Sequence, residues 1–292
     1  MVTDAIVPVA GLGTRLLPAT KSQPKEMLPV VGKPVVQYVV EELAGAGIER
    51  VLFITGRGKS SIEDHFDPDA ELIRTLRESG REELLARLDY ERMGVEFLYT
   101  RQPEPLGLGD AVLRGAAFAE RPFALALGDS ILGRDGRSRV LARMADEMES
   151  RGAACALAVE PVPGEQIGLR GIVDPADDDP GEVFELSGMV EKPAPEDAPS
   201  NLAVAARYVL SPSIFPALRR VEPDARGELQ LTDAIAALIA EGEKVIAVRL
   251  PAGERRYDVG TVEGYCRTFI ALALADPDFG ASLGSEARDL LA

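Results

Sequence analysis

Short, nearly unbroken apolar runs punctuate the first half of the chain, with longer amphipathic stretches between them. DAIVPVA (4–10), VLFIT (51–55), VEFLYT (95–100) and FALALGD (123–129) have the length and composition of buried strands. VVQYVVEELAGAG (35–47), DAVLRGAAFA (110–119) and RVLARMADEMES (139–150) instead repeat apolar positions at helical spacing. Strand, helix, strand at this rhythm predicts βαβ units. The expected fold class is therefore α/β, Rossmann-like, with a mixed, mainly parallel sheet flanked by helices. Residues from about 68 to 93 are charged and helix-prone, and predict a helical insertion.

The second half changes character. AACALAV (153–159), RGIVD (170–174), EVFELSGMVEK (182–192) and AVAARYVL (203–210) predict strands, parted by Pro/Asp/Gly loops such as PADDDPG and PAPEDAPSN. LQLTDAIAALIAEG (229–242) predicts an amphipathic helix with Thr232 as a candidate N-cap. VIAVRLPAG then gives a strand and VEGYCRTFIALALA (262–275) a late helix. The pattern predicts one domain over 1–280. Its parts are a first half (1–150), a β-rich extension (151–260) and a C-terminal helix (261–280) that is a candidate oligomer interface. The last residues, 281–292, read as a weakly ordered tail.

Composition narrows the function classes. With 46% hydrophobic and 27% charged residues the chain has the make-up of an ordinary globular protein. No apolar stretch approaches the roughly 20 residues that span a bilayer, and no secretory leader pattern opens the sequence. Cys155 and Cys266 have no paired spacing, so neither a disulfide framework nor a zinc site is expected, and a reducing cytoplasm is. A formal net charge of −16 argues against nucleic acid or an anionic membrane as partner. Residues 1–33 run against that balance, setting Arg15, Lys21, Lys25 and Lys33 against only Asp4 and Glu26. A cationic segment in an acidic protein suits a polyanionic ligand.

That segment begins with two glycines straight after the first predicted strand, a place where phosphates bind. Three designs start this way. A dinucleotide fingerprint needs a third glycine, but Leu16 stands there, and Pro18, Pro24 and Pro29 forbid the helix that must follow. A P-loop needs a glycine five residues before Gly58 in Gly58-Lys59-Ser60, where Phe53 stands. The triplet reads as the start of a helix capped by Ser60 or Ser61. The remaining design is a long irregular loop, ordered by four prolines and by Leu16, Leu17, Met27 and Leu28. In it Gly11 and Gly13 admit a ligand to the backbone, and Arg15 and Lys25 supply fixed charge.

AGLGTRLLPATKSQPKEMLPV (10–30) resembles the signature loop of the sugar-phosphate nucleotidylyltransferases, G-x-G-T-R followed by a lysine in P-K-E-M-L-P. Its K-E-M-L-P form resembles that of the bacterial UTP–glucose-1-phosphate uridylyltransferases. The likeness continues through SIEDHFD (61–67), LGLGDAVL (106–113), LGDSIL (127–132), VEKP (190–193), PSNLA (199–203), ARYVL (206–210), GELQLTDAI (227–235) and YDVGTVEGY (257–265). Several motifs in family order cover most of the chain. The resemblance implies a nucleotide-diphospho-sugar transferase fold whose β-rich extension binds the sugar. It also implies UTP and glucose 1-phosphate as substrates, UDP-glucose and pyrophosphate as products, Mg²⁺ as cofactor, and a homodimer or homotetramer. Two alternatives stay open: transfer of another base or hexose, as in a thymidylyltransferase, and a non-catalytic sugar-nucleotide-binding regulator.

The implied reaction is attack by a sugar phosphate on the α-phosphorus of UTP. A phosphate monoester is already anionic, so no general base is needed, which suits a chain whose one histidine, His65, sits in a predicted helix. Neutralising and aligning two polyanions is the task instead. Arg15 and Lys25 are the candidates for the UTP phosphates. The resemblance implies that Ala10, Gly11 and Glu26 meet the uracil, with Gly13, Thr14 and Ser130 also on the nucleotide. Gln102, Gly107 and Gly109, between a strand and a helix, offer an amide and open backbone to the base and ribose. Asp129 ends an apolar strand, where open α/β sheets place ligands, and is the expected metal ligand with Asp258, which matches the family's second aspartate. Glu191 and Lys192 are expected at the sugar and its phosphate; because neighbouring strand residues face opposite ways, both can serve only if the strand ends or bends before Pro193. Gly171 and Asn201 complete the sugar-phosphate set. Departures from the family pattern are small: Ala205 and Ala206 precede Arg207 where relatives often carry a glycine, and Val259 follows the second aspartate.

Overall fold

Ala5, Ile6 and Val7 are fully buried in the first strand, β1 (Asp4–Pro8), which runs through the middle of the molecule. The computed structural model describes residues 1–88, 93–133 and 137–291. After β1 and its long loop come a small hairpin, β2 (Pro29–Val30) and β3 (Lys33–Pro34), and helix α1 (Val35–Gly45). Then follow β4 (Arg50–Thr55), α2 (Ser60–Phe66), α3 (Ala70–Glu78), α4 (Glu82–Leu85) and β5 (Glu96–Arg101). α5 (Leu108–Arg114), β6 (Phe123–Ala126), β7 (Ser130–Leu132) and α6 (Val140–Arg151) close the first half.

The second half runs β8 (Cys155–Pro161), α7 (Gly164–Ile167), β9 (Gly171–Pro175), β10 (Val183–Glu191) and β11 (Leu202–Leu210). It continues with α8 (Ile214–Arg220), α9 (Leu231–Ala240), β12 (Val245–Arg249), β13 (Arg256–Asp258), α10 (Val262–Ala275) and α11 (Gly280–Leu291). Among the described residues, nine strands form one sheet in the order β5-β4-β1-β6-β11-β8-β12-β10-β9. β5, β4, β1 and β6 are parallel, so their carboxyl ends share one edge. β11 enters antiparallel between β6 and β8, and β10 and β9 form an antiparallel margin. The β-rich extension is thus continuous with the first half.

Both faces are covered. α1, α2 and α6 press Val39, Leu43, Ile62, Phe66 and Met144 onto one side, while α5, α8 and α9 bury Val112, Leu218, Ile235 and Leu238 on the other. A third cluster orders the long loop: Leu16, Leu28 and Val30 are buried with Ile131 of β7, Tyr257 of β13, Val259 just after it, and Leu272 of α10. Hydrophobic burial, more than prolines alone, holds this loop in shape. No described helix is long and apolar enough to cross a membrane.

Four expectations need correction. Residues 280–291 form a helix, not a weakly ordered tail, because Asp276 accepts from the N–H groups of Asp278 and Phe279 and the segment packs back on α10. Thr232 lies inside α9 and its hydroxyl bonds elsewhere; Gln230, in extended backbone, is the residue flanking the helix. Lys59, not a serine, precedes α2, and no side chain caps that helix. The insertion is helical at 70–78 and 82–85, broken by Gly80, while residues 89–92 of the expected segment lie outside those described. The late helix does leave Phe269, Ile270 and Leu274 exposed, the face the sequence marks as a candidate interface.

Candidate active site

The loop after β1 turns at Gly13, whose φ of 67° is left-handed, and its carbonyl is held by the Thr20 hydroxyl at 2.8 Å. Three tight turns follow, Thr14–Leu16, Ala19–Lys21 and Lys25–Met27. Burying Leu16 and Leu28 beneath them leaves Arg15 and Lys25 to line a cavity of about 450 Å³ at the carboxyl edge of the parallel strands. Gly11, Thr14, Glu26, Gln102, Gly107 and Asp129 also line it.

Asp129 sits between β6 and β7 and reaches the cavity floor. Lys25 Nζ donates to its Oδ2 at 2.5 Å. Burial works against the charge on each partner, yet the pairing wins for both: it holds the Asp129 carboxyl well below the usual carboxylate range, with Arg256 assisting. Burial likewise lowers Lys25, but Asp129, Glu26 and Asp258 together raise it above its ordinary value. Asp258 comes alongside because β13 pairs with β7, placing it opposite Ser130 and bonding Val259 N–H to the Asp129 carbonyl at 3.0 Å. Its carboxylate accepts from Arg256 Nη2 and from Gly260 N–H, each at 2.7 Å. A methyl group on Gly260 would stand 2.8 Å from Asp258 Oδ1 and 3.0 Å from Arg15 Nη2, so Asp258 and Arg15 meet across that residue. Among the described residues no three or more His, Cys, Asp or Glu side chains cluster as a metal cage.

At the other end of the cavity, Gln102 follows β5 and is buried, with its amide nitrogen donating to the Gly107 carbonyl at 3.0 Å and to Asp110 Oδ2 at 2.8 Å. Gly107 has φ 95°, and any side chain there would run into Leu229. Gly109 does not open the cavity as expected: a methyl on it would stand 2.8 Å from Leu218, so its smallness serves packing. Glu26 lines the cavity but is 2% exposed, and Lys59 Nζ donates to its Oε2 at 2.8 Å. Burial outweighs that partner and raises the Glu26 carboxyl. Ser130 is fully buried; its hydroxyl accepts from Arg256 Nε at 3.1 Å and lies outside the cavity lining.

β9 and β10 bring Gly171 opposite Glu191. Glu191 Oε2 accepts from the Thr232 hydroxyl at 2.6 Å, and its Oε1 lies 2.8 Å from Lys192 Nζ. Lys192 has φ 47°, the bend required for adjacent residues to turn toward each other. Asn201 stands apart: it is exposed before β11, and its carbonyl accepts from Val162 N–H.

A family model described as Nucleotidyl transferase matches residues 4–273. The chain belongs to the nucleotidyl transferase family. It is 43% identical over 291 residues to the UTP–glucose-1-phosphate uridylyltransferase YngB of Bacillus subtilis, spanning 99% of this chain and 96% of that protein. Among solved structures it matches a UTP-bound UGPase from Acinetobacter baumannii, with 38% identity, a TM-score of 0.88, and coverage of 99% of this chain and all of that one. It is also similar to a UDP-glucose pyrophosphorylase complexed with UDP-glucose, at 37% identity and a TM-score of 0.83, covering 94% of this chain and 100% of the other.

The fold of this nucleotidyl transferase adds residues that the sequence pattern did not single out. Arg207, in β11, is fully buried; it grips both oxygens of Glu42 at 3.0 and 2.7 Å and donates to the Ser130 carbonyl at 3.0 Å. An irregularity in the β11–β8 pairing between Val204 and Tyr208 turns it inward, with Ala206 at φ 61°. Arg207 thereby braces β7 directly after Asp129. Arg170 and Arg256 share Glu160: Arg170 Nη1 donates to one oxygen at 2.7 Å and the Arg256 N–H to the other at 3.1 Å. These are long-range pairings, so local patterns carry no signal for them. Lys59, in the Gly58-Lys59-Ser60 triplet, likewise finds its partner 33 residues earlier, in Glu26.

Proposed function

We propose that the chain catalyses transfer of the uridylyl group of UTP to glucose 1-phosphate, giving UDP-glucose and pyrophosphate. One observation carries the reading: Arg15, Lys25 and Asp129, distant in sequence, line one cavity with Asp258 just behind it. Oxygen of the sugar phosphate attacks the α-phosphorus of UTP; that bond forms as the bond to the bridging oxygen of the leaving pyrophosphate breaks, and the electron pair departs with it. No proton has to move. Arg15 and Lys25 neutralise the triphosphate and the leaving group, and an oriented cation in a sheltered cavity acts more strongly than in water. Lys192, beside Glu191 at the end of β10, receives the sugar phosphate, while Glu191, fixed by Thr232, accepts from sugar hydroxyls. Gln102 and the backbone at Ala10, Gly11 and Gly107 hold the base.

Asp129, immediately before β7, and Asp258, at the end of the strand paired with it, fit Mg²⁺, which prefers one or two carboxylates completed by phosphate oxygens over a full protein cage. When bound, the ion supplies charge neutralisation between the approaching phosphates. Until then Lys25 and Arg256 occupy those carboxylates, which keeps the site assembled.

The test is purified protein with UTP and a panel of hexose 1-phosphates, following pyrophosphate release with and without magnesium. Release with glucose 1-phosphate above all other sugars, and dependent on magnesium, is expected. Comparable release with another sugar, or turnover of dTTP equal to that of UTP, would move the reading to that substrate.

A further inference from the structure

We infer that Asp110 sets the base selectivity of the cavity by fixing which atom Gln102 turns toward the nucleotide, an inference that rests on the uridylyltransferase reading above. Gln102 is held at its backbone, where its N–H donates to the Thr55 carbonyl at 2.8 Å. Its side chain is buried and lines the cavity. Both hydrogens of Nε2 are spent inside the protein, on the Gly107 carbonyl at 3.0 Å and Asp110 Oδ2 at 2.8 Å. A carbonyl and a carboxylate can only accept, so the nitrogen must face them. What Gln102 has left for a ligand is Oε1, an acceptor.

Neither anchor is loose. Arg114, one turn along α5, donates to Asp110 Oδ1 at 3.0 Å and reaches Oδ2 at 3.4 Å. The Gly107 segment is clamped on both sides of Leu229, which receives the Gly109 N–H on its carbonyl and donates its own N–H to Leu106, each at 2.8 Å. Glu26, the other buried polar side chain of the cavity wall, is paired with Lys59 through Oε2, and as a carboxylate it offers only acceptors. These side chains therefore present acceptors. Uracil and thymine carry N3–H, a donor; cytosine carries a bare acceptor nitrogen at the same position. An acceptor wall pairs with the first and leaves two lone pairs facing each other with the second, the situation in which a polar site discriminates most strongly. Asp110 is thus a positioning residue: it needs no contact with the base to decide which base is accepted.

Kinetics with UTP, dTTP and CTP test this on the whole protein. Asp110→Ala frees one Nε2 hydrogen and allows the amide to offer a donor. The preference in kcat/KM for UTP over CTP should fall about 10-fold or more, mainly through KM, with dTTP changing in parallel with UTP. Arg114→Met, which removes only the brace on Asp110, should lower the same ratio by a smaller factor and serves if Asp110→Ala fails to fold. A uniform loss with all three nucleotides, or an unchanged ratio in both variants, would overturn the inference. A wild-type protein that turns over neither UTP nor dTTP would overturn the uridylyltransferase reading instead.

Discussion

Lys25 Nζ and Asp129 Oδ2 lie 2.5 Å apart although 104 residues separate them in the chain. Opposite charges buried this closely hold the loop after β1 onto the end of β6. Preorganisation of this kind is what a reaction between two polyanions requires.

Substitutions at the two ends of the site should separate by step. Asp129→Ala should lower kcat on the order of 10²–10³-fold, the usual loss when one electrostatic stabiliser of a transition state is removed. Lys192→Ala should chiefly raise KM for glucose 1-phosphate while KM for UTP stays within a factor of about three. Initial rates at varied concentrations of each substrate check both. Near-normal turnover by Asp129→Ala would remove it from the chemistry.

The same pair sets a pH window for stability. Because Lys25 holds the folded Asp129 carboxyl below its usual range, its contribution is complete above the ordinary carboxylate pKa of about 4 and is lost as pH falls further, where only the unfolded chain takes up the proton. Lys25 is raised, so its contribution is complete below about 10.4 and lost as pH climbs through the raised value. The advantage of wild type over Asp129→Asn should be flat from about pH 5 to pH 10 and shrink at pH 3.5. Urea denaturation at pH 7 and 3.5 decides it; an equal difference at both would contradict the assignment.

Lys59 is expected to matter through Glu26. Lys59→Met strands a buried carboxylate and should cost roughly 3 kcal/mol, the scale for breaking a buried pair from one side. Glu26→Gln in the Lys59→Met background should recover more than about 1 kcal/mol of that loss. Thermal or urea unfolding of the four proteins of the cycle measures the coupling, and strict additivity would mean the two groups do not depend on each other.

Ala206 sits at φ 61°, a conformation that costs a residue with a Cβ about 1–2 kcal/mol. Ala206→Gly should therefore stabilise by about 0.5–1 kcal/mol after the glycine's added unfolded-state entropy. Ala206→Val should destabilise by about 2 kcal/mol or more, since a β-branched residue tolerates that region worst and the position is fully packed. Matching losses in both variants would show that packing, not backbone conformation, governs the position.

Local pattern was enough to find most strands and helices, because a run such as VLFIT or a repeat such as RVLARMADEMES is buried by its own periodicity. The loop motif pointed to Arg15 and Lys25 and the end of β6 to Asp129, three residues that line one cavity, because those signals are also local. Pairings across the sheet were not legible. Nothing near Arg207 announces Glu42, nor does anything near Gln102 identify which of its amide atoms is free. The helix at 280–291 was not legible because two glycines and a low apolar content conceal a segment that tertiary packing keeps helical.

The proposed reaction is a single direct displacement at the α-phosphorus, with no covalent intermediate on the protein. Among the described residues no serine, cysteine or histidine lines the cavity; Cys155 is buried elsewhere, its thiol pushed up to about 12 by burial, and His65 lies on α2 against Gln37. UTP made chiral at its α-phosphorus by sulfur substitution, converted with glucose 1-phosphate, reads this out in the product. Inversion of configuration at phosphorus is the predicted result; retention would mean two successive displacements through a protein-bound uridylyl group and would rule out direct transfer.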